Sequence, residues 1–289
     1  MVAFHKVLFP VDFSPSGTGI TRYVAAIVRK FDSELVLLHT FNAFDRLSYA
    51  TASPTAFSAA YDDTVRQERA AELELFGVKE FEGLKVTRII ETGDEAHRIA
   101  AYADHNGIDL IIMPTHGYGK FRRLLLGSVT SKVLHDTHRP VLTTAHSETL
   151  GPGHFEDIRT IVCAVDPYSD AGHAIRAAAD VAEAYDASVR LVHAVPFPDM
   201  ERGALDVQFQ QVLFNMASEL IGILQRTEGT DFEISVRRGR VEAVIAEEAQ
   251  ACNAQMVVIG RGKAQEFLGR LRTNTAAIIR ESPCPVLSV

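Results

Sequence analysis

Glycine and serine residues near the end of the first half have the spacing with the clearest chemical meaning. Gly117 is followed by nine residues, 118 to 126, and then by Gly127, Ser128 and Val129. Glycine lets the backbone approach an anion closely, and the first amides of a helix donate to an anion with a favourable dipole. We expect a helix to begin near Gly127, so this segment predicts a phosphate-binding loop.

Other groups in this loop suit more than one interpretation. Lys120, Arg122 and Arg123 could add positive charge to the site, but three basic residues are equally typical of a solvated loop. His116 could bond a phosphate oxygen or assist a proton transfer. No acid partner lies near it in sequence, which favours a neutral loop donor.

The apolar runs of the first half end in residues that could complete a site with this loop. Asp12 closes the first run, Thr40 closes the second, and Pro114 closes the fourth. In open parallel sheets, ligands bind outside the carboxyl ends of the strands. These ends are therefore predicted to converge on one pocket.

Aliphatic runs predict the strands that position these residues. The runs lack the alternation of a half-exposed strand, which favours a parallel sheet covered by helices on both faces. Five strands separated by four helical segments are predicted for the first half, at 6–11, 35–40, 85–91, 110–113 and 140–144.

The first helix has clear start and face signals. Ser14 can cap free amides, and Pro15 suits the first helical turn. Apolar residues then recur at spacings of three and four, which predicts one continuous helix with a buried face. That stripe comprises Ile20, Val24, Ile27, Val28 and Phe31.

The second half repeats the first. Residues 7–12 match 161–166, and 35–39 match 189–193, both at a shift of 154. Further on the shift falls to 146 and finally to 145, so the last lost residue lies in the suspected ligand loop. The duplication predicts a first domain over residues 1–146, a linker over 147–157 and a second domain over 158–289.

Composition favours two compact intracellular domains. The chain has 289 residues, 47% of them hydrophobic, a net charge of -8 and a pI near 5.8. The acidic balance argues against nucleic-acid and anionic-membrane partners. Three cysteines without a C-x-x-C pair suit a reducing compartment, and no apolar run is long enough to span a membrane. A cytoplasmic location is expected.

With these features the chain resembles the universal stress protein family over nearly its whole length, as a member with two tandem domains. The family's nucleotide-binding pattern is Gly, two residues, Gly, nine residues, Gly, then Ser or Thr. Gly117, Gly127 and Ser128 fit this pattern, whereas Pro114 occupies the leading glycine position. Residues 9–14 are also similar to the family's first strand and turn.

The resemblance implies both a fold and a ligand. The fold would be two tandem Rossmann-like domains of the adenine nucleotide alpha hydrolase-like type, each an open five-stranded parallel sheet with helices on both faces. The ligand would be ATP or another adenine nucleotide, with Mg accompanying it. The implied nucleotide-binding residues are Pro10, Asp12, Thr40, Pro114, His116, Gly117, Gly127, Ser128 and Val129.

Individual roles follow from the same resemblance. Asp12 would bind the ribose or adenine end, Thr40 would flank the base, and the glycine-serine stretch would hold phosphates. Pro114 has no amide hydrogen and a fixed φ, so a contact that the family makes through glycine there must change.

The second half departs further from the pattern. Arg272 stands where Gly127 stands in the first copy, so a side chain takes the space that a phosphate needs. A degenerate site kept for packing and a site for a different anion both remain open, because several residues of this loop are basic. The residues of this second site are Asp166, Gly260, Arg261, Gly262 and Thr273.

No metal ligand set or catalytic motif stands out. His135 and His138 have a ligand-like gap but lack a cysteine or carboxylate framework nearby in sequence. P-loop, nucleophile-elbow and dinucleotide-binding motifs are all lacking. The sequence therefore predicts no metal site and no catalytic residue, and at most a slow ATPase.

Three functions are compatible with these residues. The first is a nucleotide-dependent regulator in the stress response. The second is slow ATP hydrolysis through a water near His116 and Ser128. The third is a nucleotide-free scaffold that docks partners through the irregular segment 42–61.

The resemblance also implies how the two halves pair. Residues 141–142 and 286–287 would lie side by side within one chain, as an intramolecular pseudo-dimer that covers two sheet edges. An isolated chain and a homodimer are both compatible with this arrangement.

Overall fold

The computed structural model describes most of the chain in two compact units, residues 3–141 and residues 142–289. The described ranges are 4–41, 58–115, 126–144, 157–169, 171–195, 207–261 and 270–289, without the side chains of 58–62, 207–209 and 270–273. His116, Gly117, Gly262 and most of the irregular segment, 42–57, lie outside these ranges. Each unit is described by itself.

The first repeat alternates strands and helices as the sequence predicts. Its strands are β1 (Lys6–Pro10), β2 (Glu34–Phe41), β3 (Val86–Thr92), β4 (Leu110–Pro114) and β5 (Val141–Thr144). Its helices are α1 (Pro15–Gly19), α2 (Thr21–Phe31), α3 (Ser58–Leu75), α4 (Glu95–His105) and α5 (Ser128–Asp136).

The first four strands form a parallel sheet in the order β3-β2-β1-β4, and β5 starts where the two units meet in sequence. Val7 pairs with Leu35 of β2, and Leu8 pairs with Ile111 of β4. These side chains are fully buried on both faces of the sheet, as the continuous aliphatic runs indicate. The predicted fold class is confirmed.

The first predicted helix is in fact two helices. Ser14 caps α1 as expected, because its Oγ accepts a hydrogen bond from the Gly17 amide at 3.1 Å. The helix then breaks at Ile20, whose φ of -100° and ψ of 1° are not helical. Gly17 and Gly19 are poor helix formers, so they weaken the turn before the break. The apolar stripe still faces the core, with Ile20 2% exposed and Val24 fully buried.

The second unit repeats this architecture. Its strands are β6 (Thr160–Ala164), β7 (Ser188–Val195), β8 (Glu233–Arg238), β9 (Met256–Ile259) and β10 (Val286–Ser288). Its helices are α6 (Gly172–Tyr185), α7 (Val207–Glu228), α8 (Val241–Ala251) and α9 (Arg270–Glu281). The strands are again parallel, in the order β10-β9-β6-β7-β8.

Unusual backbone conformations recur at equivalent positions of the two repeats. Asp32 after α2 has a φ of 50°, and Asp186 after α6 has a φ of 55°. Gly93 and Gly239 have φ values of 139° and 149° before α4 and α8, where L side chains are strained. The duplication therefore extends to backbone detail.

Two expectations concern the whole chain, namely the domain limits and the lack of a membrane-spanning segment. The proposed linker, 147–157, lies outside the described ranges except for Asp157, so the domain limits stay predictions. Among the helices described, none is long and apolar enough to cross a membrane.

Candidate functional site

Asp12 lies two residues after the end of β1, at the start of the turn that leads to α1. Its Oδ1 accepts a hydrogen bond from the Ser14 amide at 2.9 Å, while the side chain is exposed. A Cβ on Gly17 would lie 3.0 Å from this oxygen, so glycine there lets the helix start pack against the carboxylate. The turn thus fixes a charged, accessible group at the end of β1.

Phe13, the next residue, has a φ of 58°. This left-handed conformation costs a residue with a Cβ roughly 1–2 kcal/mol relative to ordinary backbone. It places the Phe13 ring 4.7 Å from the His39 ring and 5.9 Å from the Phe76 ring, measured between centroids. Sequence reasoning missed this contact, because an aromatic residue type gives no signal for positive φ.

His39 connects the ends of β1 and β2. Its Nδ1 donates a hydrogen bond to the Val11 carbonyl at 2.7 Å, and the residue is 7% exposed. Burial lowers the pKa of His39, and the positive charge of Arg69 acts in the same direction. Because the carbonyl can only accept, Nδ1 has the proton of the neutral ring. His193 makes the equivalent contact with the Val165 carbonyl at 2.9 Å.

Thr40 and Pro10 lie close to the carboxyl ends of neighbouring strands. Thr40 is half-buried on β2 and pairs with Glu91 of β3, and half-buried Pro10 ends β1 opposite Leu38. Adjacent strands are about 4.8 Å apart. Both residues are therefore within reach of a ligand that lies over the Asp12 turn.

The segment that joins β4 to α5 is tied together at its base. The Gly127 amide donates to the Thr115 carbonyl at 2.7 Å. The Thr130 hydroxyl donates to the Pro114 carbonyl at 3.0 Å, and both partners are buried. These two bonds hold the start of α5 against the end of β4, while residues 116–125 between them lie outside the described ranges.

The start of α5 offers main-chain donors. Gly127 is the N-cap residue, and no side-chain hydrogen bond caps this helix within the described part of the chain. The amides of Ser128 and Val129 have no intrahelical acceptor at this position of a helix. Ser128 is exposed and Val129 is half-buried. An anion can therefore approach these donors.

The sheet order brings the Asp12 turn and the α5 start to one crevice. β1 is followed along the chain by β2 on one side, whereas β4 lies on its other side. Connections thus leave the ends of β1 and β4 in opposite directions, which opens a crevice between them. Asp12 and Gly127 lie at the two sides of this crevice.

The Asp166 turn of the second unit keeps one feature of the Asp12 turn and loses another. Asp166 Oδ1 accepts from the Tyr168 amide at 3.1 Å, as Asp12 does from Ser14. Pro167 stands where Phe13 stands, and the proline ring does not permit a positive φ. The two turns therefore differ in backbone conformation.

The second unit also differs at the end of β9. The Arg261 amide donates to the Val289 carbonyl at 2.8 Å, and Gly260 packs against α6, where an added Cβ would lie 3.7 Å from Ala174. Helix α9 begins at Arg270, so Arg272 and Thr273 lie inside it. In the first unit α5 begins only at Ser128, the equivalent of Thr273.

A cleft of about 670 Å³ lies elsewhere in the first unit, at the amino ends of β1, β2 and β3. Its walls include His5, Leu84 and the ion pair of Lys85 with Glu34, whose Nζ and Oε2 are 3.0 Å apart. This cleft is at the opposite edge of the sheet from Asp12 and Gly127. It is not the crevice in which the predicted residues meet.

The charged side chains of the described ranges do not group as metal sites do. Nowhere in those ranges do three or more His, Cys, Asp or Glu residues lie together as they would around a metal ion. On the α5 side the crevice between β1 and β4 offers a hydroxyl and main-chain amides, which are donors for an anion, and on the other side the Asp12 carboxylate, which accepts hydrogen bonds from neutral hydroxyl or amino groups.

The protein is of the class built from two repeated α/β domains with parallel sheets, the first of which has a crevice between its first and fourth strands. The family model described as "Universal stress protein family" matches residues 3–144 and 157–289. The chain belongs to this family.

Individual relatives agree with this assignment. Universal stress protein MJ0577 of Methanocaldococcus jannaschii is 30% identical over 154 residues, which are 49% of this chain and 94% of the relative. Universal stress protein YxiE of Bacillus subtilis is 26% identical over 147 residues, 48% of this chain and 97% of the relative. Each is similar to one repeat in length.

A solved structure covers both repeats. The crystal structure of a universal stress protein from Archaeoglobus fulgidus is 21% identical, with a TM-score of 0.67, and the match covers 98% of this chain and 95% of that chain. At this identity the likeness shows the fold.

Proposed function

We propose that the first unit binds an adenine nucleotide in the crevice between β1 and β4. The observation that carries the proposal is the start of α5, where Gly127 leaves the amides of Ser128 and Val129 accessible beside the end of β4. These amides, together with the Ser128 hydroxyl, suit the phosphates. Asp12 suits the ribose or adenine end, because its exposed carboxylate accepts hydrogen bonds.

The remaining predicted residues complete this proposal. Thr40 and Pro10 would flank the base, and His116 and Gly117 would approach the phosphates, with Mg accompanying the nucleotide. The Pro114 carbonyl already accepts from Thr130, and proline has no amide to offer. Phosphate binding would therefore depend on the α5 side of the loop.

We further propose that the second unit does not bind the nucleotide. Arg272 lies inside α9, whereas its equivalent Gly127 lies before α5. A nucleotide approaching there would meet a helix that has already begun. The protein would then act in the cytoplasm as a nucleotide-dependent regulator of the stress response, with its repeats arranged as a pseudo-dimer.

Thermal stability with and without ATP, ADP or AMP tests this function. Ligand at a hundred times the dissociation constant should stabilise the native protein by about 2.7 kcal/mol. Gly127→Arg, which copies the residue of the second repeat, should abolish the shift because its side chain blocks the anion. Arg272→Ala is the matched control and should respond to the nucleotide as the wild type does.

Two outcomes would contradict the proposal. One is a melting temperature that none of the three nucleotides changes. The other is a Gly127→Arg variant that binds as tightly as the wild type. In the first case the scaffold hypothesis is the one to pursue, by deleting residues 42–57 and measuring partner binding.

A further inference from the structure

The His39 imidazole is buried beside the Phe13 ring, with 4.7 Å between the ring centroids. The neutral His39 ring donates through Nδ1 to Val11, so only Nε2 can take up a proton. Among the residues described, Nε2 is buried and has no hydrogen-bond partner. A proton there would create a buried charge that no described acceptor pairs.

Charged groups of two segments face this imidazole. Arg69 and Glu72 lie on α3, and Asp12 lies on the turn after β1. Arg69 Nη1 and Glu72 Oε2 are 2.5 Å apart, and the Arg69 guanidinium lies 5.9 Å from the Phe13 ring centroid. Glu72 is thus already paired, and Arg69 repels an imidazolium. Glu72 and then Asp12 attract it, and of these two only Glu72 is held in an ion pair with Arg69.

The aromatic residue beside His39 has an unfavourable backbone conformation. Phe13 has a φ of 58°, which it can exchange for an ordinary negative φ only if its ring leaves His39. Such a change would also move the Ser14 amide from Asp12 and the Gly17 amide from the Ser14 hydroxyl, now at 2.9 and 3.1 Å.

We propose that the turn of residues 12–14 is an acid-responsive latch, which opens when a proton binds His39 Nε2 and displaces the Phe13 ring. The imidazolium then reaches water and the Asp12 carboxylate. The depressed pKa of His39 agrees with this, because burial and Arg69 both oppose the charged form in the closed state. The latch goes beyond nucleotide binding and needs no nucleotide to operate.

The second unit provides an internal control. His193 makes the same contact with Val165, but Pro167 replaces Phe13 and cannot take a positive φ. The nearest described ring is that of Tyr168, 6.1 Å from the imidazole, and Tyr168 is 62% exposed. Among the described residues no aromatic side chain with a positive φ lies beside this imidazole, so the second unit lacks the arrangement of Phe13 and His39.

Amide hydrogen exchange in the nucleotide-free protein tests the latch. Between about pH 7.5 and about pH 5.5, protection of Ser14 and Gly17, corrected for intrinsic exchange, should fall, because the open turn binds the His39 proton more readily than the closed turn does. In His39→Gln, whose amide can still donate to Val11, this fall should disappear. In His193→Gln it should persist. Constant protection in the wild type, or a fall that persists in His39→Gln, would overturn the proposal.

A second variant keeps the test decisive if His39→Gln does not fold. Phe13→Gly removes the covering ring while glycine accepts a φ of 58° without strain. The pKa of His39, followed by NMR, should then rise, because burial, the main cause of its depressed pKa, is reduced. An unchanged pKa would show that Phe13 does not control the protonation of His39. Neither measurement uses nucleotide, so failure of the latch and failure of nucleotide binding are distinguishable.

Discussion

At the scale of single residues, Asp12 and Asp166 make the same structural hydrogen bond, but only Asp12 is proposed to bind the nucleotide. Each carboxylate accepts a main-chain hydrogen bond two residues further on, at 2.9 Å in the first unit and 3.1 Å in the second. Asp12 lies across the crevice from the start of α5, where Gly127 precedes the helix, whereas Arg272 at the equivalent position of the second unit lies inside α9. The same substitution at the two positions should therefore have different effects on binding.

We expect Asp12→Ala and Asp166→Ala each to destabilise its own unit by about 1 kcal/mol, because each removes one hydrogen bond of a turn. Nucleotide affinity should fall only in Asp12→Ala, since its carboxylate is proposed to contact the ribose or base. Isothermal titration calorimetry measures the affinity, and urea denaturation measures the stability. Equal affinity in the two variants would argue against a ligand contact for Asp12.

His39 should make stability depend on pH. Burial, and secondarily Arg69, hold its pKa below the ordinary value of 6.5 in the folded state. The unfolded chain therefore binds the proton more readily, and the free energy of unfolding falls as the pH drops below 6.5. The loss levels off once the pH is below the folded-state pKa.

The measurement is urea denaturation across this pH range. His39→Gln should lose less stability than the wild type on acidification, because its side chain does not titrate. A wild type and a His39→Gln variant with parallel pH profiles would refute this account.

At the scale of secondary-structure elements, a buried carboxylate joins α8 to the outer strands of the second unit. Glu248 is 6% exposed and accepts hydrogen bonds from Arg190 at 3.3 Å and from Ser235 and Arg237 at 3.1 Å. The hydrogen bond to the Glu233 carboxylate, and then the one to Glu248, raise the pKa of Arg190. This network fixes the helix over β7 and β8.

Glu248→Gln should destabilise the second unit by about 1–3 kcal/mol, since the charged hydrogen bonds from two arginines are weakened in a buried place. Glu247→Gln is the matched control, because Glu247 is 60% exposed and lies 3.4 Å from Arg237. Its effect should be at most about 1 kcal/mol. If urea denaturation shows the same loss of stability in both variants, burial of Glu248 does not strengthen its hydrogen bonds.

The strands were predictable from sequence, and the details of the turns were not. Aliphatic runs locate β1 and β4 to within a residue, because a strand buried on both faces has a strong signal. The break at Ile20 was missed because the apolar stripe continues through it. The positive φ of Phe13 was missed because it depends on packing against His39 and Phe76, which are distant in sequence.

The candidate site was predictable to a similar degree. Glycine and serine spacing predicts that α5 begins at Gly127-Ser128, and the helix does begin at Ser128. The earlier start of α9, at Arg270, was not predicted, because the sequence shows only that Arg272 replaces a glycine. The hydrogen bonds from Gly127 and Thr130 to the end of β4 required the structure.

For the whole molecule, duplication with divergence predicts an uneven stoichiometry. One nucleotide should bind per chain, because in the first unit the exposed Asp12 and the start of α5 lie at one crevice, whereas in the second unit Arg272, the equivalent of Gly127, already lies inside α9. Calorimetric titration of the full chain should give a single site, and Gly127→Arg should abolish all binding. Two sites per chain, or residual tight binding in that variant, would show that the second unit also binds.

The contact of an imidazole with the carbonyl of the neighbouring strand occurs twice, at His39 with Val11 and at His193 with Val165. The two repeats can therefore be compared with each other within one chain, under the same folding conditions. Contacts that both repeats keep, such as this one, are those that we expect the fold to need. Positions that differ between the repeats are those that we expect to tolerate change. Library screens for new ligands should therefore randomise the second group and leave the first untouched.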